Sequence, residues 1–266
     1  MKNYVKKKNE ELEWLHHVRR AELKIIEKIL FDNKNIKILE IGGGDGFQAK
    51  VLGDEGFSVV SIDTEPRIPQ FFPVKKIDDP KFNFLDETFD IIFTSHVLPH
   101  IPNLEQTFDE IKRVLKKDGI IFHIVPTTSW SFITNIWHYL FIPKYLLKSI
   151  KKRTFSKSQT HIYSEETTLI QETYKNKIKK LFLHPLGESP SFVHELIYFS
   201  QRYWEKLFLD NDFKIIDVKR GPYITSGYGV LKFKLISFRK IFAKYFFSSS
   251  YCFILKILFI FINKYK

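Results

Sequence analysis

Two residue types are nearly missing from this 266-residue chain, which has one cysteine, Cys252, and one methionine, Met1. A single thiol excludes an intrachain disulfide and any multi-cysteine metal cluster, and it suits a reducing compartment. Long apolar runs are missing too. A membrane-spanning helix needs about 20 apolar residues, and the best stretch, Tyr251 to Ile262, is interrupted by Lys256. The lysine-rich start, Met1 to Lys8, leads into no apolar segment of signal-peptide length, so the expectation is a cytoplasmic protein or one resting on the cytoplasmic membrane face. The third absence is of one sign of charge. From Val230 to Lys266 there are eight Lys or Arg and no Asp or Glu, which places eight of the net +12 charges there and leaves +4 for the rest. That basicity is either surface solvation in a lysine-rich composition or the mark of an anionic partner. Apolar residues are plentiful, at 44% of the chain, enough for a proper core.

The rest of the chain is organised around Ile38-Leu39-Glu40-Ile41-Gly42-Gly43-Gly44-Asp45-Gly46, an apolar strand followed by a glycine cluster and a helix-compatible stretch. Such a turn lets backbone N–H groups and a helix N-terminus approach a ligand with no Cβ in the way. Gly42, Gly44 and Gly46 depart from the dinucleotide pattern G-x-G-x-x-G, whose third glycine would stand where Phe47 is. Glu40 adds a carboxylate that would repel a pyrophosphate. A ligand with a cationic amino-acid end and no phosphate suits the turn better, and S-adenosyl-L-methionine is such a ligand. The next strand, Phe57 to Ile62, ends at Asp63, about 20 residues after the turn, where a ribose-binding acid is expected. A third strand, Val74 to Ile77, ends in Asp78-Asp79, suitably placed for an adenine amino group.

With these residues, positions 38 to about 125 resemble the class I S-adenosylmethionine-dependent methyltransferases, most closely their type 11 group. The similarity runs on through Phe82 to Asp90, through Ser95-His96-Val97-Leu98-Pro99-His100-Ile101-Pro102 and through Ile111 to Gly119. It implies that Glu40, Gly42 and Gly44 hold the methionine end, Asp63 the ribose and Asp78 the adenine, with Gly46 in the same turn. Ser95 and His96 would line the floor below the sulfonium. Lys117-Asp118 stands where the family more often has proline and glycine, a departure confined to a turn.

The remaining pattern agrees with a doubly wound, mostly parallel seven-stranded α/β sheet. Trp14, Val18, Ala21, Ile25 and Ile29 form one apolar stripe over a helix at 10–31. Phe89 to Thr94 reads as a buried parallel strand, 103–117 as a helix stopped by Gly119, and Ile120 to Val125 as strand five. The expected organisation is an N-terminal helix (1–34), a cofactor-binding core (35–126), a helical lid that shapes the acceptor pocket (127–199), the end of the sheet (200–236) and a basic aromatic C-terminal tail (237–266). Gly229 to Leu235 is read as the seventh strand. In the tail, Phe238, Ile241, Phe242, Tyr245 and Phe246 can share a helix face, with Arg239, Lys240 and Lys244 outside it. That is the composition of a helix that lies on a membrane, or of one that docks on its own domain.

Methyl transfer mainly requires the acceptor atom to be held against the methyl, with a base helping where the acceptor is a hydroxyl. Strand four leads into Thr94-Ser95-His96-Val97-Leu98-Pro99-His100, with no Asn-Pro-Pro-aromatic segment of the kind found in base-amino methyltransferases. Cys252 lies too far along the chain to attack a pyrimidine ring. An oxygen acceptor on a small molecule, a sugar or glycan precursor, or a lipid-like metabolite is expected, and nucleic acid is not. Candidate bases are His100, His161, His184 and His194, the last two each followed nearby by glutamate. Their spacing matches no zinc pattern. The rivals are an RNA methyltransferase and a non-catalytic scaffold that keeps the cofactor fold.

Overall fold

In the computed structural model, strands whose successive side chains are all apolar are buried on both faces. The structure describes residues 2–30, 35–78, 81–140, 189–226 and 231–258. In chain order, the strands are β1 (Lys37–Ile41), β2 (Ser58–Asp63), β3 (Val74–Lys76), β4 (Phe89–Ser95), β5 (Leu115–Pro126), β6 (Phe213–Arg220) and β7 (Ser250–Ile257). The helices are α1 (Lys2–Leu30), α2 (Phe47–Asp54), α3 (Leu104–Val114), α4 (128–140), α5 (Phe192–Tyr198), α6 (Gln201–Asp210) and α7 (Ile236–Tyr245). They build one seven-stranded sheet in the order β3-β2-β1-β4-β5-β7-β6, parallel except where β7 pairs with β5 and β6.

Side-chain alternation sorts each strand between two layers. Ile38, Ile91, Phe93, Cys252 and Ile254 face α1 and α2 through Leu23, Ile26, Val51 and Leu52. Leu39, Ile92, Phe253 and Leu255 face α3 and α6 through Phe108, Ile111, Trp204 and Phe208. Each fully buried phenylalanine or leucine in these layers contributes roughly 1.5–3 kcal/mol relative to exposure. Chain direction reverses its build-out at β1, which pairs in parallel with both β2 and β4, and a crevice opens beyond the carboxyl ends of the strands at such a point.

Three sequence expectations change. Of the stretch 229–235 read as the seventh strand, the described residues 231–235 form turns; the seventh strand is Ser250–Ile257, and it lies inside the sheet. The segment expected to be a basic tail from 237 therefore contributes an interior strand next to the edge, with Lys256 at its half-buried end opposite Lys214. A lysine that disqualifies a spanning helix is tolerated at a strand end. Second, α3 stops at Val114, well before Gly119. Glu87 and Thr88 donate backbone N–H groups to the carbonyls of Arg113 and Val114, and Leu115 turns extended to pair with Phe89. Third, α1 starts earlier than residue 10, and its buried positions are Trp14, Glu22, Leu23 and Ile26, while Ile29 is exposed. Of the expected lid, α4 and α5 are described, and residues 141–188, with His161 and His184, lie outside the described residues.

Candidate cofactor and acceptor site

The turn after β1 is closed by its own backbone. The N–H groups of Gly42 and Gly43 both donate to the Ile62 carbonyl, at 2.8 and 3.0 Å, and Gly46 N–H donates to Gly43 O at 2.8 Å. Gly42 has φ +77°, and a Cβ there would be driven into the Val97 side chain. Gly46, at φ +75°, opens α2, and its Cβ would stand 2.5 Å from the Phe72 carbonyl oxygen. Only glycine satisfies both demands.

Asp63, at the end of β2, accepts from Gly44 N–H at 2.7 Å and from Glu65 N–H at 2.8 Å, which fixes its carboxylate against the turn. Glu40 is 2% exposed and accepts from Ser61 Oγ at 2.5 Å. Burial pushes its carboxyl up to about 7, against the opposing Ser61 hydrogen bond and with help from Asp45 and Asp63.

A cavity of about 820 Å³ lies at the carboxyl ends of β1, β2 and β4. Gly42, Asp63, Asp78, Ser95, His96 and His100 line it, so six of the twelve residues singled out from sequence come together. Glu40, Gly44 and Gly46 lie in or under the turn and are not on the cavity wall. His194 is also away from it, exposed and bonded to Ser191 Oγ at the start of α5. Phe82, Trp130 and Phe199 add apolar surface to the wall, and through Trp130 α4 contributes to the pocket.

The residues that sequence reasoning missed come from α1 and β7. Glu22 is 2% exposed, yet its carboxylate sits where His96 Nε2 (3.1 Å), Ser250 Oγ (2.7 Å) and Arg19 (2.8 Å) converge. Although burial opposes ionisation, His96, Arg19 and Ser250 hold the carboxyl down at about 2. Burial and the Arg19 charge lower the pKa of His96, which leaves its ring neutral near pH 7. His96 itself sits at φ +57°, a backbone region that costs a non-glycine residue and that clusters at functional sites. One available signal was Glu22 itself, a carboxylate between the apolar positions Trp14 and Ile26 on the inward side of an amphipathic helix.

The walls fit the expected cofactor. Ser95 Oγ is buried without a hydrogen-bond partner among the described residues, on the wall of the cavity. Together with the carboxylates of Asp63, Glu65 and Asp78, it offers acceptors for ribose hydroxyls, an amino group and a cationic centre.

Comparison with known proteins agrees. A family model described as a methyltransferase domain matches residues 14–218. A ubiquinone biosynthesis O-methyltransferase of Rickettsia typhi is 26% identical over 174 residues, 60% of this chain and 69% of that one. A sterol 4-C-methyltransferase of Caenorhabditis elegans is 26% identical over 185 residues, covering 60% of this chain and only 54% of its own length. A structure of a putative S-adenosylmethionine-dependent methyltransferase from Listeria monocytogenes shares the fold, with a TM-score of 0.50 at 12% identity over 90% of this chain and 99% of that one. The glycine turn, the acid-edged crevice and the match over most of its length place the chain in the methyltransferase-domain family, as a class I enzyme whose cofactor is S-adenosyl-L-methionine.

Proposed function

We propose that this methyltransferase acts on a hydroxyl carried by an apolar, lipid-like small molecule, with His96 as the base and Glu22 as its positioning residue. The observation that carries the reading is the place of His96 on the cavity wall with its Nε2 3.1 Å from the buried Glu22 carboxylate, and burial that lowers the ring's pKa supports it. With Nε2–H donated to Glu22, the free lone pair is at Nδ1, and a hydroxyl proton can be taken there. A sugar or glycan precursor is the less favoured acceptor, because Phe82, Trp130 and Phe199 add apolar surface to the cavity wall. Relatives named for ubiquinone biosynthesis O-methylation and for sterol 4-C-methylation support an apolar acceptor.

When bound, the cofactor supplies an electrophilic methyl group. Asp63 would take its ribose hydroxyls and Asp78 its adenine amino group. Arg19, which also lines the cavity, would pair with the amino-acid carboxylate, and Ser95 Oγ would meet the polar atoms above it. His100 stands on the same wall, in the short turn Leu98–His100, as the alternative base.

Pure protein incubated with methyl-labelled cofactor and fractionated cell extract tests this. Label should appear in an apolar organic-soluble fraction as an ether. His96→Gln should lower kcat by about 10²- to 10⁴-fold while cofactor affinity is kept. Label entering the RNA fraction, or a His96→Gln protein that turns over at the full rate, would overturn the assignment.

A further inference from the structure

Helix α7 (Ile236–Tyr245) is assembled with its charge inside and its aromatics outside. Arg239 is 4% exposed; its guanidinium donates to the carbonyls of Ile224, Lys232 and Lys234 and lies 4.6 Å over the Trp14 ring. Its buried neighbour on the helix is Ala243. The large apolar residues point the other way: Phe238 is 61% exposed, Ile241 59%, Tyr245 65% and Phe246, just past the helix, 61%. Phe247 continues the patch. Single exposed apolar residues need no explanation, but a contiguous aromatic face does.

A second observation borders the first. A cavity of about 710 Å³ lies between α1, the end of β6 and α7, and its wall carries Arg20, Lys24, Lys219, Arg220 and Lys240 with no Asp or Glu. Lys240 belongs to both features, and Arg220 donates to the Phe246 carbonyl, which joins the groove to the aromatic face. Asp217 pairs with Lys219 at 2.5 Å from outside the wall. Among the described residues the wall itself holds no carboxylate; on α1 the charge of Glu27 is felt by Lys24 and Arg20, which leaves Arg220 and Lys240 uncompensated within the groove. The local field is felt by His17 in the same wall, whose pKa is lowered by burial and then by Lys240, Arg239 and Lys24.

We infer that α7 and this groove form a docking surface for a bilayer carrying anionic headgroups. Phosphates would enter the groove, while Phe238, Ile241, Tyr245 and Phe246 enter the boundary between headgroups and acyl chains. Charge decides the occupant. A second copy would bring the same cations against the groove, and a nucleic acid would leave the aromatic face uncovered.

The test is co-sedimentation of the full chain with vesicles of phosphatidylcholine alone, or with about 30% phosphatidylglycerol, at low and high salt. Binding is expected only to the anionic vesicles, and it should weaken as salt screens the headgroups. The double change Phe238→Ser and Ile241→Ser should weaken partitioning about tenfold or more, and Lys24→Gln with Lys240→Gln should flatten the salt dependence. Because these side chains are exposed, except that Lys240 also lies over the Tyr223 ring, the melting temperature serves as the control for folding. The inference is overturned by no vesicle binding, by equal binding to both vesicles, or by binding that the Phe238/Ile241 change leaves intact. It is also overturned by a lipid-free dimer that the same change dissolves, or by a salt-sensitive RNA shift without vesicle binding.

Discussion

Replacing Glu40 by glutamine separates what this carboxyl costs the fold from what it does for the cofactor. Glu40 is buried under the glycine turn, and its carboxyl is raised from 4.5 to about 7, chiefly by loss of water. The folded protein therefore holds this proton more tightly than the unfolded chain does. The associated stability is fully present below about pH 4.5 and is lost as pH rises through about 7. At about 1.4 kcal/mol for each pH unit of that window, the loss is on the order of 3 kcal/mol. Glutamine keeps a side-chain oxygen for Ser61 Oγ and cannot ionise. Urea unfolding at two pH values should thus find Glu40→Gln within about 1 kcal/mol of the parent at pH 5 and more stable by on the order of 3 kcal/mol near pH 8.5. Calorimetric titration with S-adenosylmethionine should show the opposite sign: affinity about tenfold weaker near pH 8, where the parent carboxylate is charged, and little changed near pH 6. A gain in stability with a loss in binding is the signature of a residue kept for function. A variant that is destabilised near pH 8.5, or changed equally at both pH values, would refute the burial argument. Unchanged affinity beside the stability gain would remove Glu40 from the methionine end.

Other residues make separate predictions. Asp63→Asn loses the charge that accepts from Gly44 and Glu65 N–H, and cofactor affinity measured by titration should fall about 10- to 100-fold. Gly42→Ala forces a Cβ into Val97 at φ +77°, so its melting temperature should drop by several degrees, and Val97→Ala in the same protein should restore part of the loss. Glu22, with its carboxyl depressed from 4.5 to about 2, contributes stability that is present above about pH 4.5 and lost as pH falls through about 2. Glu22→Gln should cost about 1–3 kcal/mol in urea unfolding at pH 7, where His96 is neutral and Arg19 and Ser250 Oγ still hold the carboxylate, and much less near pH 2.5, whereas an equal cost at both would assign the residue a packing role only.

How far the site could be read in advance follows from how far apart in sequence its parts lie. The glycine turn, Asp63 and Asp78 are each set by a strand and the few residues after it, so local pattern and carboxylate spacing were enough to bring them to one crevice. The support behind His96 is different in kind. Glu22 lies 74 positions from His96 and 228 from Ser250, and only the closing of the sheet brings the three together. Ser250 could not be placed while Ser250–Ile257 was taken as part of a tail, because Lys256 interrupts an apolar run in a way that matters for a helix in lipid and little for a half-buried strand end. Reading β7 as tail therefore also hides Ser250, the hydroxyl that donates to Glu22 beside His96. Tertiary pairing, not propensity, decides such residues, with one exception that local pattern does carry: a carboxylate on the inward side of an amphipathic helix has to find a partner in the core. In this chain α1 carries that carboxylate and the cavity-lining Arg19, and it packs Trp14 against the buried guanidinium of α7. The same helix thus touches both the proposed base and the proposed lipid-facing element. Shortening α1 from its N-terminal end as far as Trp14 should therefore loosen α7 while leaving the Glu22–His96 pair in place, which hydrogen exchange at residues 236–245 and at His96 would resolve.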